Sequence, residues 1–468
     1  MYSEQVGLFD RVASILDLCK RMPDTMSDEE VEGLLKFLPT DSQNSIRAML
    51  VPRFRDVSVK FLKLVAKWVH TARKAPLEGK KVIIVPFNFP PELIHAFDNA
   101  CPITSEILST LGVVALEGQG ERYWDMAMGL GLPDHSCSSS TIELGSMLGS
   151  SDFRPQAIVS AAPGGCDVNA KIHEFVSNYL DIPQFFLAKI PDDSQRGHAQ
   201  YSVEARKLIK SLEQFVGEEL TEDKLRKVME RANRCTELHY ELWDLQRARP
   251  CPVPNLFSLY LYGVRFSMWG TQDGIEMLEA MVDLAKQRLK QGAYPAPQEK
   301  ARTLWCYTSY YFDFANLFNW MEESGYTHLG DGLDLYFPQP VDTSSMDSMI
   351  EGFAEAARNM PMTRQVGGQS MSGQWTEDCI TAAQQLDADC VIYCGHHSCK
   401  QTWSVLSILR SEIERRTGLP MLVLQGDSWI RRMTPISVIQ HEIDEFVQNV
   451  VARKEQGKRR SRKHKSIN

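Results

Sequence analysis

The 468-residue chain lacks any run of about 18 apolar residues, the minimum for a membrane-spanning helix. Its most apolar stretch, Val82–Phe89, is far too short to cross a bilayer. The first residues, Met1–Val6, also lack the basic segment and apolar core of a secretory signal. We therefore expect a cytoplasmic protein that does not interact with membranes.

Three familiar motifs are also missing. No GxxxxGK[ST] loop occurs, so ATP hydrolysis would have to reside on another chain. No HExxH helix occurs, which argues against a zinc hydrolase built from His396, His397 and a carboxylate. The eleven cysteines are odd in number and scattered, with neither zinc-type spacing nor a disulfide pattern. Most of them are therefore expected to be reduced and buried.

Charge is distributed unevenly along the chain. The formal net charge is −9, although residues 453–468 hold eight Lys or Arg and one Glu. The rest of the chain is consequently more acidic than the total, which argues against a nucleic-acid-binding core. The basic end is interpreted as a solvated, frayed tail, and contact with RNA, an acidic partner or a membrane surface stays an alternative.

The length predicts two to four compact units, and the hydrophobic pattern predicts an α/β fold. A capping box at Ser27 and Glu30 marks one helix start in a helical N-terminal region. Beyond it, short apolar runs alternate with helical patterns, as in parallel sheets covered by helices. The strand candidates are Lys81–Pro86, Val113–Leu116, Ala157–Ala161, Gln184–Ala188, Lys300–Tyr307, Asp331–Phe337, Asp389–Cys394 and Met421–Gln425.

This pattern predicts two Rossmann-like (flavodoxin-like) parallel-sheet domains with a helical N-terminal region and a helical insert. The expected boundaries are 1–75 for the helical N-terminal region, 76–194 for an α/β domain carrying Cys137 and Cys166, 195–297 for a helical segment, 298–452 for a second α/β domain carrying Cys399, and 453–468 for a basic disordered tail.

Three cysteines stand where ligands gather in such folds. Cys166 and Cys399 follow predicted strands, and all three, with Cys137, directly precede predicted helices. A helix N-terminus stabilises a thiolate, which is the form that binds metal. Gly164 and Gly165 let the backbone approach a bulky group closely. Spacings of 29 and 233 residues match no sequential motif, so three unrelated thiols remain the alternative.

Several short motifs, taken in order, resemble one enzyme family. They are Phe89-Pro-Pro-Glu92-Leu, Cys137 before a helix ending in Leu144-Gly145, Cys166-Asp167 before a helix and Asp181-Ile-Pro183, Arg247-Ala-Arg-Pro-Cys-Pro252, His397-Ser-Cys399-Lys400, and Gly418-Leu-Pro420 leading to Gln425-Gly-Asp427-Ser. From about Phe89 to Val451 the chain resembles the 2-hydroxyacyl-CoA dehydratase and ATP-dependent benzoyl-CoA reductase family.

This resemblance implies an iron–sulfur subunit that pairs with a homologous iron–sulfur subunit in a heterodimer. Cys137, Cys166 and Cys399 would be the three protein ligands of a [4Fe–4S] cluster, leaving one iron free to bind substrate oxygen as a Lewis acid. A separate ATP-hydrolysing activator would supply a low-potential electron. The electron would convert an acyl-CoA thioester into a ketyl radical, from which a hydroxyl group can leave.

Other residues of these motifs have two interpretations each. Ser138, Ser139 and Ser398 are candidates for hydrogen bonds to cluster sulfurs, or ordinary helix caps. Glu92 and His397 are the weak catalytic candidates; a helix-dipole role for Glu92 and a structural hydrogen bond for His397 are the alternatives.

Four further positions also have more than one interpretation. His396 could protonate substrate or make a structural hydrogen bond, Asp427 could contact solvent, substrate or a neighbouring helix, and Lys400 could pair with a CoA phosphate or with the sheet edge. Cys394 is interpreted as a core residue, with a fourth ligand role as the alternative.

The substrate is not encoded in these motifs. A dehydratase is the interpretation adopted for this chain; an aromatic acyl-CoA reductase subunit and a cluster-free structural or binding paralogue are the alternatives. The oligomeric state and the choice between a substrate-binding and an electron-relaying cluster are open as well.

Overall fold

The computed structural model describes residues 7–162, 167–188, 192, 194–296, 298–361, 364 and 371–453. Its α-helices are α1 Leu8–Lys20, α2 Asp28–Leu35, α3 Thr40–Met49, α4 Arg55–Lys74, α5 Glu92–His95, α6 Ser105–Ile107, α7 Gly120–Met128, α8 Ser138–Gly149, α9 Asp167–Leu180, α10 Gln195–Val216, α11 Glu222–Gln246, α12 Phe257–Ser267, α13 Gln272–Gln291, α14 Phe314–Ser324, α15 Met346–Asn359, α16 Thr376–Gln385, α17 Lys400–Thr417 and α18 Ile436–Phe446. Three π-helices occupy Leu108–Glu117, Met371–Trp375 and Val447–Val451, and short 3₁₀ turns occupy Ala75–Glu78, Tyr311–Asp313 and Arg431–Met433.

The strands form two four-stranded sheets that are parallel throughout. They are β1 Lys81–Val85, β2 Ala100–Thr104, β3 Ala157–Ala162, β4 Gln184–Ala188, β5 Ala301–Trp305, β6 Tyr326–His328, β7 Cys390–His396 and β8 Met421–Gly426. The strand orders are β2-β1-β3-β4 and β6-β5-β7-β8, so both sheets repeat one topology. This confirms the predicted α/β class with two Rossmann-like units, a helical N-terminal region and a helical insert.

Burial differs among the strands of the two sheets. β7 lies inside its sheet and is buried along its whole length, and β1 is buried except at Lys81. Of the edge strands, β4 and β8 are only partly buried, whereas β2 and β6 are buried throughout. Strands covered by helices on both faces need continuous apolar sequence, which explains why the inner strands gave the clearest sequence signal.

Two predicted strands were wrong. Val113–Leu116 lies within the buried π-helix Leu108–Glu117, because a short apolar run cannot distinguish a buried strand from a buried helix. Asp331–Phe337 begins as a turn, in which the Leu333 amide donates to the Asp331 carboxylate at 2.8 Å. The strand of that region is the shorter β6.

Besides β6, the strand β2 was missed, and its position matters for the site. β2 contains Pro102, which has no amide hydrogen to donate to a neighbouring strand and therefore argues against a strand in the sequence. β2 lies at the edge of its sheet, where a proline is tolerated. Its carboxyl end leads directly into Ser105 and Glu106.

The N-terminal helices contact both halves of the molecule. The predicted capping box at Ser27 and Glu30 is present at the start of α2. Arg11 of α1 pairs with Glu117 at 2.7 Å, beside the first sheet. Arg53 pairs with Glu322 of α14 at 2.7 Å, beside the second sheet. These contacts make the N-terminal region part of the same packed structure.

Helix α10 of the helical insert packs against the first sheet. One core cluster joins Val85 of β1, Leu208 of α10 and Phe353 of α15. Helix α15 therefore shares a core with the first sheet, although the sequence-based boundaries group it with the second α/β domain. Among the residues described, no helix combines the length and apolar character needed to cross a bilayer.

Gly145 offers a test of the packing that positions α8. A Cβ there would lie 1.9 Å from the Tyr123 carbonyl oxygen of α7. We expect Gly145→Ala to lower the free energy of unfolding by about 1–3 kcal/mol or more, because the helices must move apart. Urea and thermal unfolding followed by circular dichroism measure the change.

Gly33→Ala is the matched control for Gly145→Ala, since Gly33 also lies within a helix but has nothing within 4 Å of its Cβ position. There alanine should raise stability by up to about 1 kcal/mol, owing to its higher helix propensity. Equal stability of Gly145→Ala and wild type would show that α7 and α8 are not tightly packed.

Candidate functional site

Two of the predicted ligands lie at the starts of helices from different sheets. Cys137 is the N-cap residue of α8, and Cys399 is the N-cap residue of α17. Both thiols are partly exposed, whereas the other cysteines that the structure describes are buried. Exposure and a helix N-terminus together distinguish this pair from packing cysteines.

Hydrogen bonds join the two helix starts. The backbone N–H of Ser138 donates to Ser398 Oγ at 3.1 Å, and the Ser138 hydroxyl contacts the Asp427 carboxylate oxygens at 2.8 and 2.9 Å. Asp427 follows β8, and Ser398 follows β7. The residues next to Cys137 and Cys399 are thus bonded to each other across the boundary between the two sheets.

A buried ion pair lies beneath Cys137. His396 Nε2 is 3.5 Å from Cys137 Sγ, and His396 Nδ1 is 3.2 Å from Asp427 Oδ2. Burial alone would lower the pKa of His396, but Asp427 and the Cys137 thiol raise it well above its usual value. Burial alone would raise the pKa of Asp427, but His396 holds it below its usual value. A cationic imidazole beside a thiol favours the thiolate.

Backbone amides keep this carboxylate in place. The N–H groups of Trp429 and Ile430 each donate to Asp427 Oδ1 at 2.9 Å. The Asp427 side chain is 1% exposed, so these bonds and the His396 contact replace its lost hydration. The structure therefore assigns Asp427 a positioning role for His396 and for the start of α8.

A cavity opens beside Cys137. Described residues that line it are Phe87, Glu106, Ser139, Ser140, Tyr262, Tyr307, Thr308, Leu333 and Trp429. The Tyr307 hydroxyl donates to Cys399 Sγ at 3.2 Å. Since Tyr307 follows β5 and Cys399 follows the adjacent β7, the cavity lies where the strand order of the second sheet reverses, the usual ligand position in such folds.

Glu106 is a site residue that the sequence analysis missed. It follows β2, is buried, and lines the same cavity as Cys137. Burial and the neighbouring Glu143 raise the pKa of Glu106 to about 8. A carboxyl residue just after a parallel strand is the sequence signal that could have identified Glu106. The strand was not predicted, because it contains Pro102.

A buried polar network supports Glu106 from behind. Asn169 donates to Glu106 Oε1 at 2.7 Å, and Glu143 Oε1 accepts from Ser105 at 2.5 Å. His173 Nε2 lies 2.8 Å from the same Glu143 oxygen. Burial alone would lower the pKa of His173, but Glu143 raises it above its usual value. The carboxyl of Glu106 is thus held at the cavity wall by a network of hydrogen-bonded side chains.

The weak catalytic candidates lie elsewhere. Glu92 is buried and pairs with Arg265 at 3.2 Å, and it is not among the described residues that line the cavity. Burial raises the pKa of Glu92, although Arg265 opposes the shift. His397 is exposed, and its backbone N–H donates to the Gly426 carbonyl at 2.8 Å. Catalytic roles for these two residues stay predictions.

Cys394 and Lys400 differ from each other in burial. Cys394 is buried in β7, with Sγ 3.5 Å from Ser428 Oγ, as expected of a core thiol. Lys400 is exposed at the first turn of α17.

Cys166, with Gly164 and Gly165, lies outside the described residues, as do residues 454–468 of the basic tail.

The donor set suits the cofactor that the resemblance implies. Iron–sulfur clusters are held by cysteine thiolates, often with hydrogen-bond donors close to the sulfurs. Cys137 and Cys399 provide two such thiols, with His396 and Tyr307 as their polar neighbours. Ser138 and Ser398, candidates for hydrogen bonds to cluster sulfurs, make the hydrogen bond between the two helix starts, and their role toward a cluster stays a prediction.

Comparison with known proteins identifies a family. Residues 86–450 match the family described as 2-hydroxyglutaryl-CoA dehydratase, D-component. The chain is also similar to the (R)-phenyllactyl-CoA dehydratase alpha subunit of Clostridium sporogenes, with 20% identity over 381 residues, which cover 76% of this chain and 86% of that protein. The family match has nearly the same limits as the resemblance found in the sequence. The chain therefore belongs to the 2-hydroxyglutaryl-CoA dehydratase D-component family.

Proposed function

We propose that this protein is the iron–sulfur subunit of a 2-hydroxyacyl-CoA dehydratase-type enzyme, with a [4Fe–4S] cluster held by Cys137, Cys166 and Cys399. The observation that carries this proposal is the junction of the two helix starts. Cys137 and Cys399 are the partly exposed cysteines among those described, and their neighbours Ser138 and Ser398 are hydrogen-bonded at 3.1 Å.

When bound, such a cluster supplies single electrons and a Lewis-acidic iron. The protein supplies the surroundings. His396 places a positive charge beside Cys137, and Asp427 holds His396 in position. Tyr262, Tyr307 and Trp429 give the cavity aromatic walls, which exclude water from a reactive acyl group.

Glu106 is the proton donor in this proposal. Because its pKa is raised to about 8, its carboxyl is mostly neutral near pH 7 and carries a proton. The carboxyl O–H would transfer that proton to the substrate hydroxyl, which then leaves as water, while Glu106 becomes a carboxylate. Asn169 and the adjacent His173 would stabilise that carboxylate.

The proposal includes partners. The Clostridium sporogenes relative is, by its name, one subunit of its enzyme. We extend this to a heterodimer with a homologous iron–sulfur subunit, and to an ATP-hydrolysing activator that delivers the electron for a ketyl radical on the acyl-CoA thioester. The missing P-loop supports a separate ATPase.

Metal content tests the three ligands. Protein purified without oxygen should contain about four irons and four acid-labile sulfides per chain. We expect Cys137→Ala, Cys166→Ala and Cys399→Ala each to lose most of this iron, because a cluster with two protein ligands is poorly held. Iron analysis and the visible absorption spectrum measure the loss.

Cys394→Ala is the control, since this cysteine lies five residues before Cys399 but is buried in β7. It should retain the iron. A colourless, iron-free wild-type protein would contradict the proposal and favour a cluster-free paralogue.

Glu106→Gln tests the proton donor. We expect turnover of (R)-phenyllactyl-CoA to fall about 10²- to 10⁴-fold, because an amide cannot transfer the proton. In the wild type, kcat should fall as the pH rises through about 8, where Glu106 loses its proton. Steady-state rates between pH 6 and 9, measured with the activator and partner subunit, give both quantities.

The control for Glu106→Gln is Glu117→Gln. Glu117 is also buried, and it pairs with Arg11 instead of lining the cavity. It should keep nearly wild-type turnover. Wild-type kcat in Glu106→Gln, with iron retained, would remove Glu106 from the mechanism. Turnover of benzoyl-CoA in place of 2-hydroxyacyl-CoA would instead favour the reductase alternative.

A further inference from the structure

A second cluster of polar side chains lies in the unit of the second sheet. His328 ends β6, and Asp331 and Asp334 follow in the turn behind it. Each offers a nitrogen or oxygen atom within 4.8 Å of the others, and all three residues are at least nine-tenths buried. Neither the dehydratase chemistry nor the family motifs account for this group.

Two of its atoms have no hydrogen-bond partner. Asp334 Oδ1 and His328 Nδ1 are buried without a hydrogen bond. The other Asp334 oxygen accepts the Ser258 hydroxyl and the Asp331 N–H, the latter at 3.3 Å. Among the described residues, no Lys or Arg forms a salt bridge with either aspartate. Two buried carboxyl groups without a cation are costly unless a proton or a metal ion compensates them.

The comparable group near the cavity is satisfied. There His173 contacts Glu143 at 2.8 Å and Ser160 at 3.5 Å through its two ring nitrogens, and Glu106 accepts from Asn169. Unpartnered buried atoms therefore distinguish the His328 group from an ordinary buried polar network.

We propose that His328, Asp331 and Asp334 bind a divalent transition-metal ion of the Zn²⁺ type. Imidazole nitrogen together with carboxylate oxygen is a donor set for zinc and similar metals, whereas Ca²⁺ and Mg²⁺ favour oxygen ligands alone. Ser258 lies 3.3 Å from His328 Nε2 and also donates to Asp334, so it orients two of the three ligands.

A small cavity lies on the Asp334 side of the group. Ser258, Gly330 and Asp334 line this cavity of about 20 Å³, whereas His328 and Asp331 are not among the described residues that line it. That volume admits one water-sized group. A water bound to the ion could occupy it beside Asp334.

The ion would fix a loop that reaches the candidate active site. Leu333, between the two aspartates, lines the cavity beside Cys137. A Cβ on Gly332 would lie 2.6 Å from the Tyr307 carbonyl oxygen, so this turn packs tightly against the segment that carries Tyr307. The site is therefore structural and separate from the cysteine ligands.

Zinc analysis of the anaerobically purified full-length protein, dialysed against Zn²⁺ and then against buffer, tests the site. We expect about one Zn²⁺ per chain, and loss of most of it in Asp334→Asn and His328→Gln. X-ray absorption at the zinc edge should show N/O ligands at about 2.0–2.1 Å and no sulfur at about 2.3 Å. Zinc should persist in Cys137→Ala, because that thiol is not a ligand.

His173→Gln is the matched control, since it removes the histidine of the other buried group and should leave the zinc content unchanged.

If the ligand variants do not fold, the wild type still decides the question. Chelation should lower its thermal midpoint by a few degrees, and Zn²⁺ should restore it. Any of three results would overturn the proposal: the wild type retains no zinc, the zinc is bound through sulfur, or zinc is lost only in His173→Gln. The first result would favour two carboxyl groups that share a proton.

Discussion

The hydrogen bonds of Ser138 hold the two halves of the candidate site together. Its N–H bonds Ser398 from the second sheet, and its hydroxyl bonds Asp427 on the neighbouring loop. Cys137 and Cys399 occupy the adjacent positions, so their placement depends on these bonds. A shift of α8 relative to the second sheet would break the hydrogen bonds and move one cysteine away from the other. The tight contact of Gly145 with α7 restrains such a shift.

The buried polar groups around His396, Glu106 and His328 compensate their charges in different ways. His396 and Asp427 form an ion pair that also holds backbone amides. Around Glu106, carboxyl groups outnumber cations, and the raised pKa lets one carboxyl stay neutral at the cavity wall. A proton is thereby kept at the wall of the cavity beside Cys137. Near His328 two buried atoms have no hydrogen-bond partner, and this is the physical basis for the metal site that we propose.

The sequence was most informative where burial is continuous. Lys81–Val85 and Cys390–His396 are inner strands, and their apolar runs predicted them within one or two residues. The sequence-based prediction was wrong where the same residues are compatible with two kinds of structure. Pro102 hid an edge strand that tolerates proline, and the apolar run at Val113–Leu116 belongs to a buried helix.

The sequence by itself determined the alternation of strands and helices, the capping signals and the family, because these depend on residues a few positions apart. Only the tertiary structure decided which polar groups meet. Ser138 and Ser398 are 260 positions apart, and His396 reaches Cys137 over 259. Such contacts arise when two sheets bring the carboxyl ends of their strands to one place, and no local pattern encodes that partner choice. Glu106 joined the site for the same reason, through a strand that the local pattern concealed.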